Sequence, residues 1–214
     1  MSVPAQDYLK PRRISYPEDE ARLPWLKILL DAYFVIDNGV AEGIRREQKQ
    51  GRQLACAKGC YSCCVTHSDI PVYPLELMGM TWYCVEKLQS PLREQIREQL
   101  KNFLNHNGCP FLYEGACSIH SARPIACRQF NVLDKACAEG EDAFHTRRKD
   151  VMTPIVKFRD EAFNVMLPFY GITNKAEKRK AIKQGSMHGV ARAMRDCNWE
   201  TTPKRMDDYD ANHQ

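Results

Sequence analysis

The chain has 214 residues, 43% of them hydrophobic and 27% charged, with a formal net charge of +4. That is enough apolar material for one ordinary core, so a wholly disordered protein is excluded and a single domain is expected. The mild positive charge permits an acidic protein partner without requiring one.

Residues 1–20 carry Pro4, Pro11 and Pro17 among mixed charges and read as an extended arm. They have no apolar centre of the kind a signal peptide needs. The longest apolar stretch, Leu23 to Ile36, is interrupted by Lys27 and Asp31 and is too short to span a bilayer. The expected location is therefore the cytoplasm, a reducing compartment where structural disulfides do not persist. Glu18, Asp19 and Glu20 suit the positive end of a helix from about 22 to 50, whose apolar positions include Leu23, Leu26, Leu30, Phe34, Val40 and Ile44. Gly51 supplies a stop.

Pro74 opens a second helix to about Leu88, and Ser90-Pro91 starts a third to about His106. Residues 107–140 are broken by Gly108, Pro110, Gly115, Pro124 and Gly140 and read as irregular. A fourth helix follows Pro154 and stops near Pro168. A fifth opens at Asn174, with Glu177 as its capping partner. No strand series or internal repeat is evident. The expected fold is mainly α, with helices packed around an irregular, metal-organised cysteine-rich centre. The expected division is an arm over 1–20, a cysteine-cluster metal-binding domain over 21–200 with its motif core at 56–140, and a polar tail over 201–214.

Ten cysteines in a reducing compartment read as metal ligands before they read as disulfides. Cys56, Cys60, Cys63 and Cys64 fall within nine residues. Such spacing lets one stretch of backbone aim several sulfurs at one point, and packing has no use for it. Gly59 permits close approach beside them. Cys109, Cys117, Cys127 and Cys137 are spaced too widely for a single knuckle and return from loops to complete the site or sites. Isolated Cys84 and Cys197 read as small buried hydrophobes, away from the cluster.

The run Cys56…Cys60…Cys63-Cys64, then Cys109-Pro-Phe-Leu, then Cys117-x-Ile-His-x-x-Arg-Pro-x-x-Cys127-Arg-x-Phe resembles the YkgJ-type cysteine-cluster proteins with their zinc- or iron-chelating CxxCxxCC domain. The resemblance covers about residues 56–140. The first gap here is three residues instead of two, and His120 stands where the family usually has tyrosine. The resemblance implies the fold and metal chelation, with Cys56, Cys60, Cys63, Cys64, Cys109, Cys117, Cys127 and Cys137 as ligands. Some members look like the metal-containing part of enzymes that methylate flagellin lysines, so a cluster-dependent protein-modifying enzyme is the alternative to a metal-handling or redox protein.

Eight thiolates fill two tetrahedral zinc sites. An iron–sulfur cluster is favoured over zinc, because Cys-x3-Cys-x2-Cys suits three corners of a cubane. Cys63 and Cys64 point in different directions, so either each serves one of two sites or one stands behind the ligands. The same spacing occurs in radical S-adenosylmethionine enzymes, but those usually carry an aromatic residue where Ser62 stands, and their alternating strands and helices are not seen here. His67 and His120 are ambiguous between ligand and packing roles. Arg123 and Arg128 either bond loop carbonyls or offset thiolate charge. The basic stretch 174–196 reads as a solvated helix face, and nucleic-acid binding is not expected.

Overall fold

A computed structural model describes residues 8–57, 59–67, 69–103 and 108–213. The first elements are a short helix α1 (Pro17–Arg22) and the long helix α2 (Pro24–Lys49), each opened by proline in its first turn, where no intrahelical N–H partner is lost. Glu18, Asp19 and Glu20 occupy the first turn of α1 and do not precede α2. Residues 1–7 of the expected arm lie outside the described residues. Its later part is tied down where Arg13 donates to Asp31 at 2.6 Å and to Glu20 at 2.6 and 3.0 Å.

There follow α3 (Ser62–Thr66), β1 (Pro71–Val72) and α4 (Pro74–Trp82), the last running into a wider π-type turn over Tyr83–Lys87. Then come α5 (Leu92–Lys101), the hairpin strands β2 (Leu112–Tyr113) and β3 (Ala116–Cys117), and two short helices, α6 (Ile125–Gln129) and α7 (Ala143–Thr146). The expected end of α5 near His106 falls among residues 104–107, outside the described residues. The chain closes with α8 (Val156–Met166), α9 (Lys175–Lys183), β4 (Arg192–Ala193) and α10 (Thr201–Asn212). The protein is mainly helical. Its strands form two antiparallel pairs of two residues each, β1 with β4 and β2 with β3. Among the described residues no helix is long and apolar enough to cross a membrane.

Helix α2 is the spine. Leu26, Leu29, Leu30, Tyr33, Ile36, Val40 and Ile44 recur at helical spacing, and all are buried. Complete burial of one such side chain stabilises the fold by about 1.5–3 kcal/mol. This face packs along α8, through Phe163 and Met166, and meets Met152 and Leu167. Gly39 permits the close approach: a Cβ there would stand 2.6 Å from the Phe158 Cβ. A second apolar cluster gathers Met80, Cys84, Ile96, Leu100, Phe111, Ile119 and Trp199, and a third, much smaller one holds Val132, Ala143 and Val151.

Residues 201–212 are a packed helix where the sequence suggests a polar tail. Met206 is fully buried, and Asp210 accepts from Arg93 of α5 at 2.8 and 2.9 Å. Arg97 pairs with Asp210 and, at 3.1 Å, with Asp207. The polarity of α10 thus serves an ionic seam with α5. Just ahead of it, Trp199 packs edge-on to Phe111 at 4.8 Å and donates its indole N–H to the Met194 carbonyl at 2.7 Å.

Candidate metal centre

Cys56 ends an extended stretch that pairs with residues 131–134. Ala55 N–H donates to Val132 O at 2.9 Å, Asp134 N–H to Gln53 O at 2.7 Å, and Val132 N–H to Cys56 Sγ at 3.2 Å. Val132 also bridges to Val151. This three-stretch crossing brings Cys56 and Cys137 onto the same small apolar cluster. Gly59 turns the chain with φ +81°, Cys60 is exposed, and α3 carries Cys63 and Cys64.

Cys109 of the second set comes back to α3. Cys109 N–H donates to the Cys64 carbonyl at 2.7 Å, and the Cys109 thiol lies 3.9 Å from the Met194 sulfur. Gly108 is required at this crossing: its φ is +97°, and a Cβ would lie 3.0 Å from the same carbonyl oxygen. The β2–β3 hairpin turns through Glu114 and Gly115, both at positive φ, and leaves Cys117 opposite Leu112. Cys127 is on α6, whose first N–H, at Ile125, donates to the fully buried Glu76 at 2.6 Å.

The two arginines of the motif have different partners. Arg128 is a clamp: it donates to the Arg123 carbonyl at 2.9 Å and to Asp37 at 2.8 and 3.0 Å, and lies 4.0 Å from the centre of the Tyr33 ring. It thereby pins the 117–128 loop to α2. Arg123 Nε is buried without a hydrogen-bond partner, and its positive charge acts on Cys63, Cys117 and Cys127. One arginine takes the carbonyl role that the sequence allowed, and the other faces the thiols.

The thiols disfavour one another's ionisation. A hydrogen bond to Cys64, then burial, drives the Cys63 thiol far up. Its bond with Cys109 raises Cys64 to about 12. Burial lifts Cys56 to about 11 against the pull of the Val132 N–H, with Cys60, Cys63 and Cys137 adding to the rise. Cys127 is raised by burial and by Cys117, Cys64 and Cys63; Cys137 by burial, Cys60 and Glu141, against Arg147. Such a site favours protons unless a cation takes their place. Among the described residues no three His, Cys, Asp or Glu side chains already stand closed around one point.

His67 is committed elsewhere: its Nε2 lies 2.9 Å from Asp142 and its ring is edge-on to Phe130 at 4.4 Å. His120 is exposed on a short turn. Cys84 and Cys197, expected away from the cluster, are buried in the same apolar cluster as Cys109, and Cys84 is close enough to Cys117 to influence it electrostatically. Glu76, Asp37 and Tyr33 were not legible as site residues. Only Glu76 had a local signal, a glutamate two residues after Pro74 where a capping box places one, with Tyr73 N–H donating to it at 3.1 Å.

A helical body with cysteine-bearing loops and crowded thiols makes this a mainly helical, cysteine-rich domain. Residues 55–151 match the model of the CxxCxxCC family, described as a "putative zinc- or iron-chelating domain", so this part of the chain is similar to that cysteine-cluster family. Comparison with curated proteins and with solved structures finds no match.

Proposed function

We propose that this chain is a cytoplasmic metal-binding protein whose cysteine thiolates hold an iron–sulfur cluster, with zinc as the competing occupant, in a metal-handling or redox role. The observation that supports the reading is that Cys109 returns to α3, where its N–H donates to the Cys64 carbonyl at 2.7 Å, and that the Val132 N–H donates to the Cys56 sulfur at 3.2 Å. Such donors stabilise thiolate charge and tune a bound metal. When bound, the metal supplies electron transfer or a scaffold for the loops; the chain's own residues orient the sulfurs and shield them. A redox or metal-handling role is favoured because three candidate acid–base and positioning groups have other partners: His67 has Asp142, Arg128 has Asp37, and Glu76 has two backbone N–H groups. The exposed basic residues of α9 offer a surface to an acidic protein partner.

Anaerobic purification with an absorption spectrum and iron, sulfide and zinc analysis tests this. Iron with sulfide and a visible charge-transfer band is expected. Stoichiometric zinc in a colourless protein would select the competing metal, and neither metal would overturn the proposal. Adding S-adenosylmethionine should leave the paramagnetic spectrum of the cluster unchanged; a perturbed spectrum with methylated lysine products would replace this reading by a cluster-dependent lysine methylase.

A further inference from the structure

Building on the acidic-partner part of that reading, we infer that helix α9 and the cleft at its C-terminal end dock an extended acidic segment of a partner protein, with carboxylates at alternate residues and an apolar residue beyond them. Helix α9 carries Lys175, Lys178, Arg179, Lys180 and Lys183 against the single carboxylate of Glu177. Among the described residues none of these five cations enters an ion pair. Elsewhere the helices neutralise such charges internally. Lys27 meets Asp31 at 2.6 Å and Arg46 meets Glu42 at 2.9 Å in α2, and Lys101 meets Glu98 at 2.7 Å in α5. Lys175, Arg179 and Lys183 instead follow one another at four-residue intervals and are exposed, so they form one row on the side away from the buried Ala181. Like charges at this spacing destabilise a helix, and an anion that bridges them relieves the repulsion.

The row ends at a cleft of about 390 Å³ between α8, the end of α9 and the turn that follows. Gly185 ends α9 at φ +66°, and the turn brings Met187 and His188 to the cleft. Phe163, Ala181 and Met187 form a buried apolar floor, with Lys183 and His188 exposed at the rim. The His188 ring stands edge-on to Phe163 at 5.7 Å. Asp160, the carboxylate of the lining, is already bonded by its neighbour Arg159 at 3.0 and 3.2 Å. Spacing selects the occupant. Residues four apart on an α-helix advance by about 6 Å, and side chains on one face of an extended chain recur every two residues, or about 6.7 Å. A segment with every second residue acidic therefore lays three carboxylates along the row, and an apolar side chain next on the same face reaches the cleft floor. A nucleic-acid strand fits less well, because α9 has no aromatic residue on which a base could stack.

The probe is the fluorescein-labelled peptide Glu-Ser-Glu-Ser-Glu-Ser-Leu, titrated with the full-length chain and read by fluorescence anisotropy. Saturable binding that weakens as salt rises is expected. The triple variant Lys175→Glu/Arg179→Glu/Lys183→Glu should bind at least about tenfold more weakly, and the peptide Lys-Ser-Lys-Ser-Lys-Ser-Leu should restore binding to it. Regrouping the acids as Glu-Glu-Glu-Ser-Ser-Ser-Leu, or replacing Leu by Ser, should each weaken binding about threefold. Equal affinity for the regrouped peptide overturns the alternate spacing. Undiminished binding by the triple variant overturns this site and leaves an acidic partner to dock elsewhere, whereas no binding of any acidic peptide overturns the acidic-partner reading as well. Tighter binding of oligouridylate than of the peptide overturns the protein occupant in favour of nucleic acid. Unchanged helical circular dichroism separates lost docking from lost fold. If the triple variant unfolds, Arg179→Glu alone decides, with a loss of about threefold expected and an unchanged affinity refuting the row. Iron and zinc content should match the wild type in every variant, which keeps the test of metal binding apart from this one.

Discussion

Two regions of this molecule are held together by different physics. The α2–α8 body is stabilised by apolar burial: Leu26, Ile36, Ala162 and Met166 are completely inaccessible, and they interlock along two helices. The cysteine-bearing region, 53–67 with 108–140, buries Phe111, Ile119, Val132 and Leu133 singly along short, irregular elements, with no long helical face behind them. Its order comes from short backbone pairings, from Gly108 at a crossing, and from the Arg128–Asp37 clamp. The body encloses its own stability. The loops borrow theirs, from the body through Arg128 and Glu76, and from whatever cation the thiols hold.

The largest expected effect follows from that difference. Structural zinc binding in comparable small sites is worth about 10–16 kcal/mol in apparent terms, and that binding energy is folding energy. Stripping metal with a chelator should therefore abolish hydrogen-exchange protection over residues 108–140 while the amides of α2 and α8 keep theirs. Equal loss in both regions would break the comparison. Phe163→Ala acts on the other side of it. This side chain is 4% exposed and packs edge-on to Tyr73 at 5.1 Å. Its truncation should cost about 3–5 kcal/mol in denaturant unfolding, to the same extent with and without metal.

The two regions were unequally legible in the sequence. Helix α2 announced itself by its apolar spacing, α4 and α8 by the prolines ahead of them, and α9 by Asn174, which accepts from Ala176 N–H at 2.8 Å. These are local signals. The cysteine motif was equally local in its first half. What stayed hidden depends on residues far apart in the chain: the pairing of 53–56 with 131–134, the seam between α5 and α10, and the anchoring of α6 by Glu76. A three-residue pairing has no period to detect. Asp207 and Asp210 look like solvated charges until Arg93 and Arg97 stand opposite them.

Glu76 sharpens the comparison, because it belongs to the body and holds a helix of the motif. Complete burial pushes its carboxyl up to about 7, against the N–H groups of Ile125 and Tyr73 and the charge of Arg128. In the unfolded chain the group reverts to about 4.5. The folded state therefore keeps a proton that the unfolded state has already released. The stabilisation is complete below pH 4.5 and is lost as pH rises through 7. At about 1.4 kcal/mol per unit, the loss is about 3 kcal/mol. Glu76→Gln cannot titrate, so the stability of the wild type minus that of the variant should fall by this amount between pH 4 and 8. Parallel curves would show that the carboxyl does not carry its proton into the fold.

The smallest effect is expected at the arginines beside the thiols. Arg147 already pairs with Glu141 at 2.8 Å and with Asp150 at 3.0 Å, so its charge is largely spent before any metal arrives. Among the described residues Arg123 has no such carboxylate partner, and its buried Nε is unsatisfied. A buried, unbonded Nε next to Cys63, Cys117 and Cys127 is costly unless negative charge develops there, as it does when thiols become metal-bound thiolates. Arg123→Gln keeps most of the side-chain length and removes the charge. It should weaken metal binding about tenfold, the low end for a group supporting metal ligands, and leave the metal-free protein no less stable. Arg147→Gln should do the reverse, lowering stability through its lost ion pairs while leaving metal affinity within about twofold, since its charge is already matched by Glu141 and Asp150. Competition titrations against a chromophoric chelator measure both affinities. Equal losses in the two variants would mean that general positive charge, and not the unpaired Arg123, balances the thiolates.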